Sequence, residues 1–235
     1  RRVLFRSVDG AVGFSTGLQY IPGTYAKSNE ITELARVAGN EGGVYATHMR
    51  NEGTALEAAI KESITVARLT DVPLEISHLK IDSPAQWGMA AKALTMIDDA
   101  RKRGMKVQAD QYAYTAGSSS LSIRFPSWAL EGGSDAIRKR LTDAATWAKV
   151  KKDMQALLAE RGFTDLSWAT IATYRADPSL NGLTMKQAAA KVKGSDSADA
   201  QLELARDMQS AGGASMVYHR SEEHTSELQS HLNLV

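Results

Sequence analysis

The chain has 235 residues, of which 28 are Lys or Arg, 27 are Asp or Glu and five are His, with no Cys. So even a charge, with no basic cluster, speaks against a nucleic-acid partner, and the absence of Cys rules out disulfides within this stretch. No apolar run approaches the length of a membrane span, so no membrane partner is expected.

The two ends look foreign to the rest. Residues 1–7 and 220–235 resemble translated sequencing-adapter DNA, and such tracts lie outside any fold. They hold four of the 28 basic and three of the 27 acidic residues, which leaves the window 8–219 neutral. That window is expected to be cut from a longer protein at both sides.

From residue 10 the chain alternates strand-like and helix-like signals at a spacing near thirty. Residues 10–15 read as a buried strand of small side chains. A helix follows over about 29–40, with Ser28 or Asn29 as N-cap and Glu30 and Glu33 in its first turn. Residues 43–48 form the second strand. Thr54-Ala55-Leu56-Glu57 has the pattern of a capping box and opens a helix to about Leu69. Residues 73–78 are the third strand. Ser83-Pro84-Ala85-Gln86 supplies an N-cap and a Pro at the first helical position, starting a helix to about Arg103. Residues 105–110 are the fourth strand. Four such units predict a parallel sheet covered by helices, half of an eight-stranded α/β barrel, with a doubly wound open sheet as the alternative.

After Tyr114 the rhythm stops. Residues 115–121 are rich in Gly and Ser and read as a loop. Residues 128–162 look helical, with an N-cap near Ser134 and Gly162 as the stop. Residues 166–173 read as a strand, Thr184-Met185-Lys186-Gln187 opens a helix by a capping box, and residues 197–210 form another helix, ended by Gly212-Gly213. This stretch is expected to be an insertion over the barrel mouth, where lids tend to sit.

The chemistry gathers at the strand ends. Ala46-Thr47-His48-Met49-Arg50-Asn51-Glu52-Gly53 and Ile76-Ser77-His78-Leu79-Lys80 each carry a His at the end of a short apolar run, thirty positions apart. Parallel strands joined by right-handed crossovers point the same way, so both imidazoles emerge at one face of the sheet. Two neighbouring imidazoles are half of a zinc site, with the remaining ligands expected from strands upstream. Arg50 and Lys80 each follow a His by two residues. They read either as rim charges or as a grip on a substrate carboxylate, which Arg can hold bidentately. Glu52 is expected to pair with Arg50. Asp110, Tyr112 and Tyr114 end the fourth strand. Asp110 could orient a metal-bound His from behind or cap the following loop, and either Tyr hydroxyl could bond a carbonyl or carboxylate. Gly13-Phe14-Ser15-Thr16-Gly17 lacks the residues of a phosphate or dinucleotide loop, and no nucleophile elbow surrounds Ser118, Ser119 or Ser120.

Together with Gly10-Ala11-Val12-Gly13-Phe14-Ser15-Thr16-Gly17-Leu18, the His48 and His78 motifs resemble the N-acyl-D-amino-acid deacylases (D-aminoacylases) of the metal-dependent amidohydrolase superfamily. Asp110-Gln111-Tyr112-Ala113-Tyr114-Thr115-Ala116-Gly117-Ser118 and Trp128-Ala129-Leu130-Glu131-Gly132-Gly133 resemble them too. The resemblance implies a (β/α)8 TIM-like barrel carrying zinc, of which residues 8–117 would supply about strands 4 to 7. Residues 118–219 would be a mostly helical insertion before the last strand. It implies hydrolysis of the amide of a small-molecule N-acyl-D-amino acid to a D-amino acid and a carboxylate. By that likeness His48 and His78 are metal ligands on the fifth and sixth strands, and Lys80 with Tyr112 or Tyr114 binds the substrate carboxylate. The family's first-strand His-x-His pair, its bridging Cys and its eighth-strand catalytic Asp have no counterpart here, so the fragment by itself is expected to be inactive. A cyclic amidase of the dihydroorotase or hydantoinase type, a non-catalytic barrel that binds a small carboxylate, and a product that does not fold stably are the alternatives.

Overall fold

The computed structural model describes Arg6 and residues 9–219, so the adapter-like tracts, Arg6 apart, lie outside the described residues. It divides into two compact units, the first ending at Ala113 and the second beginning at Tyr114.

The first unit is a parallel sheet of β1 (Gly13–Gly17), β2 (Val44–His48), β3 (Leu74–Ile76) and β4 (Val107–Ala109), in the order β1-β2-β3-β4. Helices α1 (Ser28–Asn40), α2 (Leu56–Thr70) and α3 (Ala90–Lys102) connect successive strands. Register follows the expected units, with Gly17 opposite His48 and Thr47 opposite Ile76. Side chains alternate across a strand. Tyr45, Thr47, Leu74, Ile76, Val107 and Ala109 are buried, and all but Thr47 belong to a core shared with Ile31, Ile60, Val66 and Ile97 of the helices. The intervening Ala46, His48 and Glu75 are half-buried and Gln108 is exposed. The Thr16 hydroxyl shares a hydrogen bond with that of Thr47 at 2.8 Å, tying β1 to β2.

Two helix starts differ from expectation. At α2 the N-cap is Ala55, with no side-chain cap. The turn before it is organised by Asn51, whose Oδ1 accepts from the N–H groups of Gly53 and Ala55 at 2.8 and 3.0 Å. Ser83-Pro84-Ala85-Gln86 opens only a short 3₁₀ turn, Pro84–Gln86. Gly88, at φ +91°, breaks the chain direction before α3 begins, because a left-handed residue cannot continue a right-handed helix.

The second unit is an antiparallel sheet of β5 (Ala116–Ser120), β6 (Ala169–Thr173) and β7 (Ser215–His219), in the order β5-β7-β6. Four helices accompany it: α4 (Gly133–Thr142), α5 (Ala144–Glu160), α6 (Met185–Lys193) and α7 (Ala198–Ser210). Leu141, Trp147, Met154, Ile171, Met208, Met216 and Tyr218 are part of its core. The stretch expected as a Gly/Ser loop is a strand instead. Its Ala-Gly-Ser-Ser-Ser sequence has no apolar alternation, and its pairing comes from β7, about a hundred residues on. The single helical stretch expected over 128–162 is divided at Asp143, whose carboxylate accepts from the Thr146 N–H at 2.8 Å and so caps α5. The capping box at Thr184 and Gln187 and the Ser197 cap of α7 form as expected. No described helix is long and apolar enough to cross a membrane.

Candidate metal centre

The strand ends bring His48 and His78 together. His48 is the last residue of β2, while His78 lies two residues beyond β3 in a left-handed turn at φ +43°. Such a backbone is uncommon for a residue with a side chain and needs support from its surroundings. Asp110 supplies it: its carboxylate accepts the His78 N–H at 2.6 Å, and its carbonyl accepts the Leu79 N–H at 2.8 Å. Asp110 thus holds the backbone of His78, where the sequence suggested a grip on an imidazole ring.

The two rings meet edge to face, with His48 Nδ1 2.8 Å from His78 Nε2. The outer nitrogen of His48, Nε2, lies 2.8 Å from Gln19 Oε1. An amide oxygen only accepts, so Nε2 carries the proton and Nδ1 keeps a lone pair directed at His78. Tyr20 packs its ring against the same imidazole, centroids 4.7 Å apart. Burial pushes the His48 pKa down to about 4, with Glu52 opposing and His78 and Lys80 assisting. The ring is therefore neutral at neutral pH, the form that binds metals.

Glu52 is fully buried beside them. Its Oε1 lies 2.6 Å from Lys80 Nζ and 3.0 Å from His78 Nδ1. Burial by itself would raise its pKa, but the neighbouring His78 ring and the charge of Lys80 outweigh that and lower it. Lys80 is buried too, and its ammonium also reaches His78 Nδ1 at 2.9 Å and the His78 carbonyl at 3.1 Å. Its three donors are thus all engaged. The Tyr112 ring stands 5.6 Å from that ammonium. Tyr114, the first residue of the second unit, is 73% exposed.

Arg50 does not join this group. Its guanidinium grips Glu62 of α2 through Nε and Nη2 at 2.9 Å each, and reaches the carbonyls of Thr24 and Ala26 at 3.0 and 2.9 Å. Arg50 therefore ties three segments of the first unit together, and its expected partner Glu52 belongs to Lys80 and His78. Sequence reasoning passed over Gln19, Tyr20 and Glu52 as site residues. The first two follow β1 directly, so the rule that placed the histidines at the strand ends applied to them as well. Glu75, on β3, is also new. Burial, the charge of Asp110 and a hydrogen bond to it push its carboxyl up to about 7.

Among the described residues, His48, Glu52 and His78 form the one group offering three ligand atoms within 4.8 Å of one another. Their nitrogen and oxygen donors suit zinc. Two bonds of ~2.1 Å at a tetrahedral angle set ligand nitrogens roughly 3.4 Å apart, so the facing nitrogens fit after a small separation of the rings. Glu52 Oε2 is buried without a hydrogen-bond partner, 3.9 Å from His48 Nε2.

Known proteins bear on this arrangement. The chain is 48% identical over 114 residues to an N-acyl-D-glutamate deacylase of Alcaligenes xylosoxydans xylosoxydans, covering 48% of this chain and 23% of that protein. It is 35% identical over 158 residues to a D-aminoacylase of the same organism, covering 65% and 30%. The chain thus spans about a quarter to a third of the length of the curated relatives it matches. Among solved structures, a D-aminoacylase aligns at TM-score 0.66 and 28% identity over 92% of this chain and 36% of that one. An N-acyl-D-glutamate deacylase from Bordetella bronchiseptica, complexed with zinc and a phosphonate mimic of the tetrahedral intermediate, aligns at 0.66 and 27% over 94% and 37%. No family model matches the chain.

Proposed function

We propose that the chain, similar to D-aminoacylases and N-acyl-D-glutamate deacylases, is a segment of a D-aminoacylase-type amidohydrolase and carries part of the active site of a zinc-dependent hydrolase of N-acyl-D-amino acids. The observation that carries this reading is the pair of facing imidazole nitrogens, 2.8 Å apart at the ends of adjacent parallel strands and backed by a buried carboxylate and ammonium. On this reading β1 to β4 are consecutive staves, about the fourth to seventh, of a (β/α)8 barrel, and residues 118–219 are an insertion before its last strand. Active sites of such barrels sit where the strands end, which is where the two histidines lie.

His48 Nδ1 and His78 Nε2 would hold the zinc. When bound, the metal supplies Lewis-acid polarisation of the scissile carbonyl and acidifies the attacking water. Gln19 keeps the proton of His48 on Nε2, so that Nδ1 is ready as a ligand. Asp110 fixes the backbone that aims His78. Lys80 and Tyr112 would receive the substrate carboxylate, the Lys80 ammonium by charge and the phenol by hydrogen bonding. Arg50 has four N–H contacts within the first unit and takes no part in substrate capture on this reading.

Zinc titration of the chain against a chromophoric chelator tests the ligand pair. Binding of zinc is expected in the unaltered chain and its loss in His48→Ala and His78→Ala. The activity is tested on the whole protein that carries this segment, with N-acetyl-D-glutamate and N-acetyl-D-leucine beside their L-enantiomers. Release of the D-amino acid, stopped by a chelator, is expected. Turnover of hydantoin or dihydropyrimidine rings in place of the linear amides would overturn the assignment.

A further inference from the structure

The loop that leaves β2 delivers one side chain to both halves of the site. Asn51 locks its turn through the N–H groups of Gly53 and Ala55, and the Glu52 carbonyl accepts the Asp82 N–H at 2.9 Å. The chain on either side of Glu52 is thereby pinned, and its carboxylate is fully buried between His78 and Lys80.

We propose that Glu52 is the positioning residue of the metal centre: its Oε1 orients the His78 ring through Nδ1 and holds the Lys80 ammonium, joining the zinc ligand to the cation that receives the substrate. The inference rests on the ligand pair proposed above. A neutral His78 that gives Nε2 to a cation carries its proton on Nδ1, and Glu52 Oε1 stands 3.0 Å from that atom. A carboxylate behind a ligating His fixes the tautomer and the ring orientation and makes the ligand more basic. A proton on Nδ1 also ends the hydrogen bond that Lys80 Nζ now gives that nitrogen at 2.9 Å. One ammonium N–H is then released and can turn to a substrate carboxylate, while Glu52 keeps Nζ in place. Glu52 Oε1 faces the nitrogen of His78 that points away from His48, which places the carboxylate behind the ligand.

The test compares zinc affinity in the unaltered chain, Glu52→Gln, Lys80→Met and the double variant, by chelator competition. Circular dichroism and thermal melting report folding. Glu52→Gln leaves a buried ammonium without its counter-ion and can fail to fold, whereas the double variant removes both charges and restores a neutral core. Zinc affinity is expected to fall about 10- to 100-fold in the double variant and in any Glu52→Gln protein that folds, the range usual for loss of a ligand's supporting partner. Lys80→Met is expected to bind at least as tightly as the unaltered chain. A double variant that binds zinc as tightly as the unaltered chain overturns the proposal, since Glu52 would then only neutralise Lys80. A second readout is the ¹⁵N signature of the His78 ring in the zinc-loaded chain: a protonated Nδ1 is expected, and a proton on Nε2 overturns the assignment. Failure of the unaltered chain to bind zinc at all would instead bring down the ligand pair, and this inference with it.

Discussion

Replacing Arg50 by Met removes a side chain that holds the first unit together. The guanidinium makes two contacts with Glu62 and one each with the Thr24 and Ala26 carbonyls. The pair is 30% exposed on the Arg side and 15% on the Glu side. Exposed pairs are worth ~0–1 kcal/mol and breaking a buried one costs ~3–5 kcal/mol, so this intermediate case comes to about 2 kcal/mol. Loss of each part-buried carbonyl contact adds ~0.5 kcal/mol. The expected loss is about 3 kcal/mol, or roughly 150-fold in an opening equilibrium. Urea denaturation followed by circular dichroism reads the global part, and hydrogen–deuterium exchange over residues 20–30 reads the local part. Arg50→Lys keeps the charge but not the fork, and is expected to recover less than half of the loss. A denaturation midpoint and exchange rates unchanged in Arg50→Met would refute this reasoning and return Arg50 to the list of substrate ligands.

Two more perturbations test the packing and charge of the sheet. Gly13→Ala would drive a Cβ into the Val44 carbonyl oxygen, a backbone atom that can retreat only by parting β1 from β2; a loss of at least ~2 kcal/mol in urea denaturation is expected. Glu75 keeps its proton to about pH 7 in the folded chain against 4.5 ordinarily, so the native state binds more protons between those values and stability falls as pH rises through that window. In Glu75→Gln the midpoint of denaturation should lose that part of its pH dependence, and an identical slope in both proteins from pH 4.5 to 7 would contradict it.

Legibility varied along the chain for physical reasons. The four parallel strands and the three helices between them could be read because each strand buries an apolar face and each helix repeats on its own period, both local properties. The helix caps at Thr184 and Ser197 were legible for the same reason, since a cap needs only its own turn. Strand β5 was not, because a run of Ala, Gly and Ser carries no preference of its own and takes its order from Met216 and Tyr218 across the sheet.

The amino-acid sequence by itself determined that His48 and His78 would end neighbouring parallel strands, since strand period and crossover hand follow from local chain geometry. Tertiary structure decided which charges meet them. Arg50 and Glu52 sit two residues apart, and the expectation that they pair rested on that nearness. Instead Glu62 of α2 reached Arg50, and Lys80 from the neighbouring strand's exit claimed Glu52. Buried charges choose partners by what lies within about 3 Å once the core has closed, and a distance between segments far apart in the chain is something no local pattern encodes.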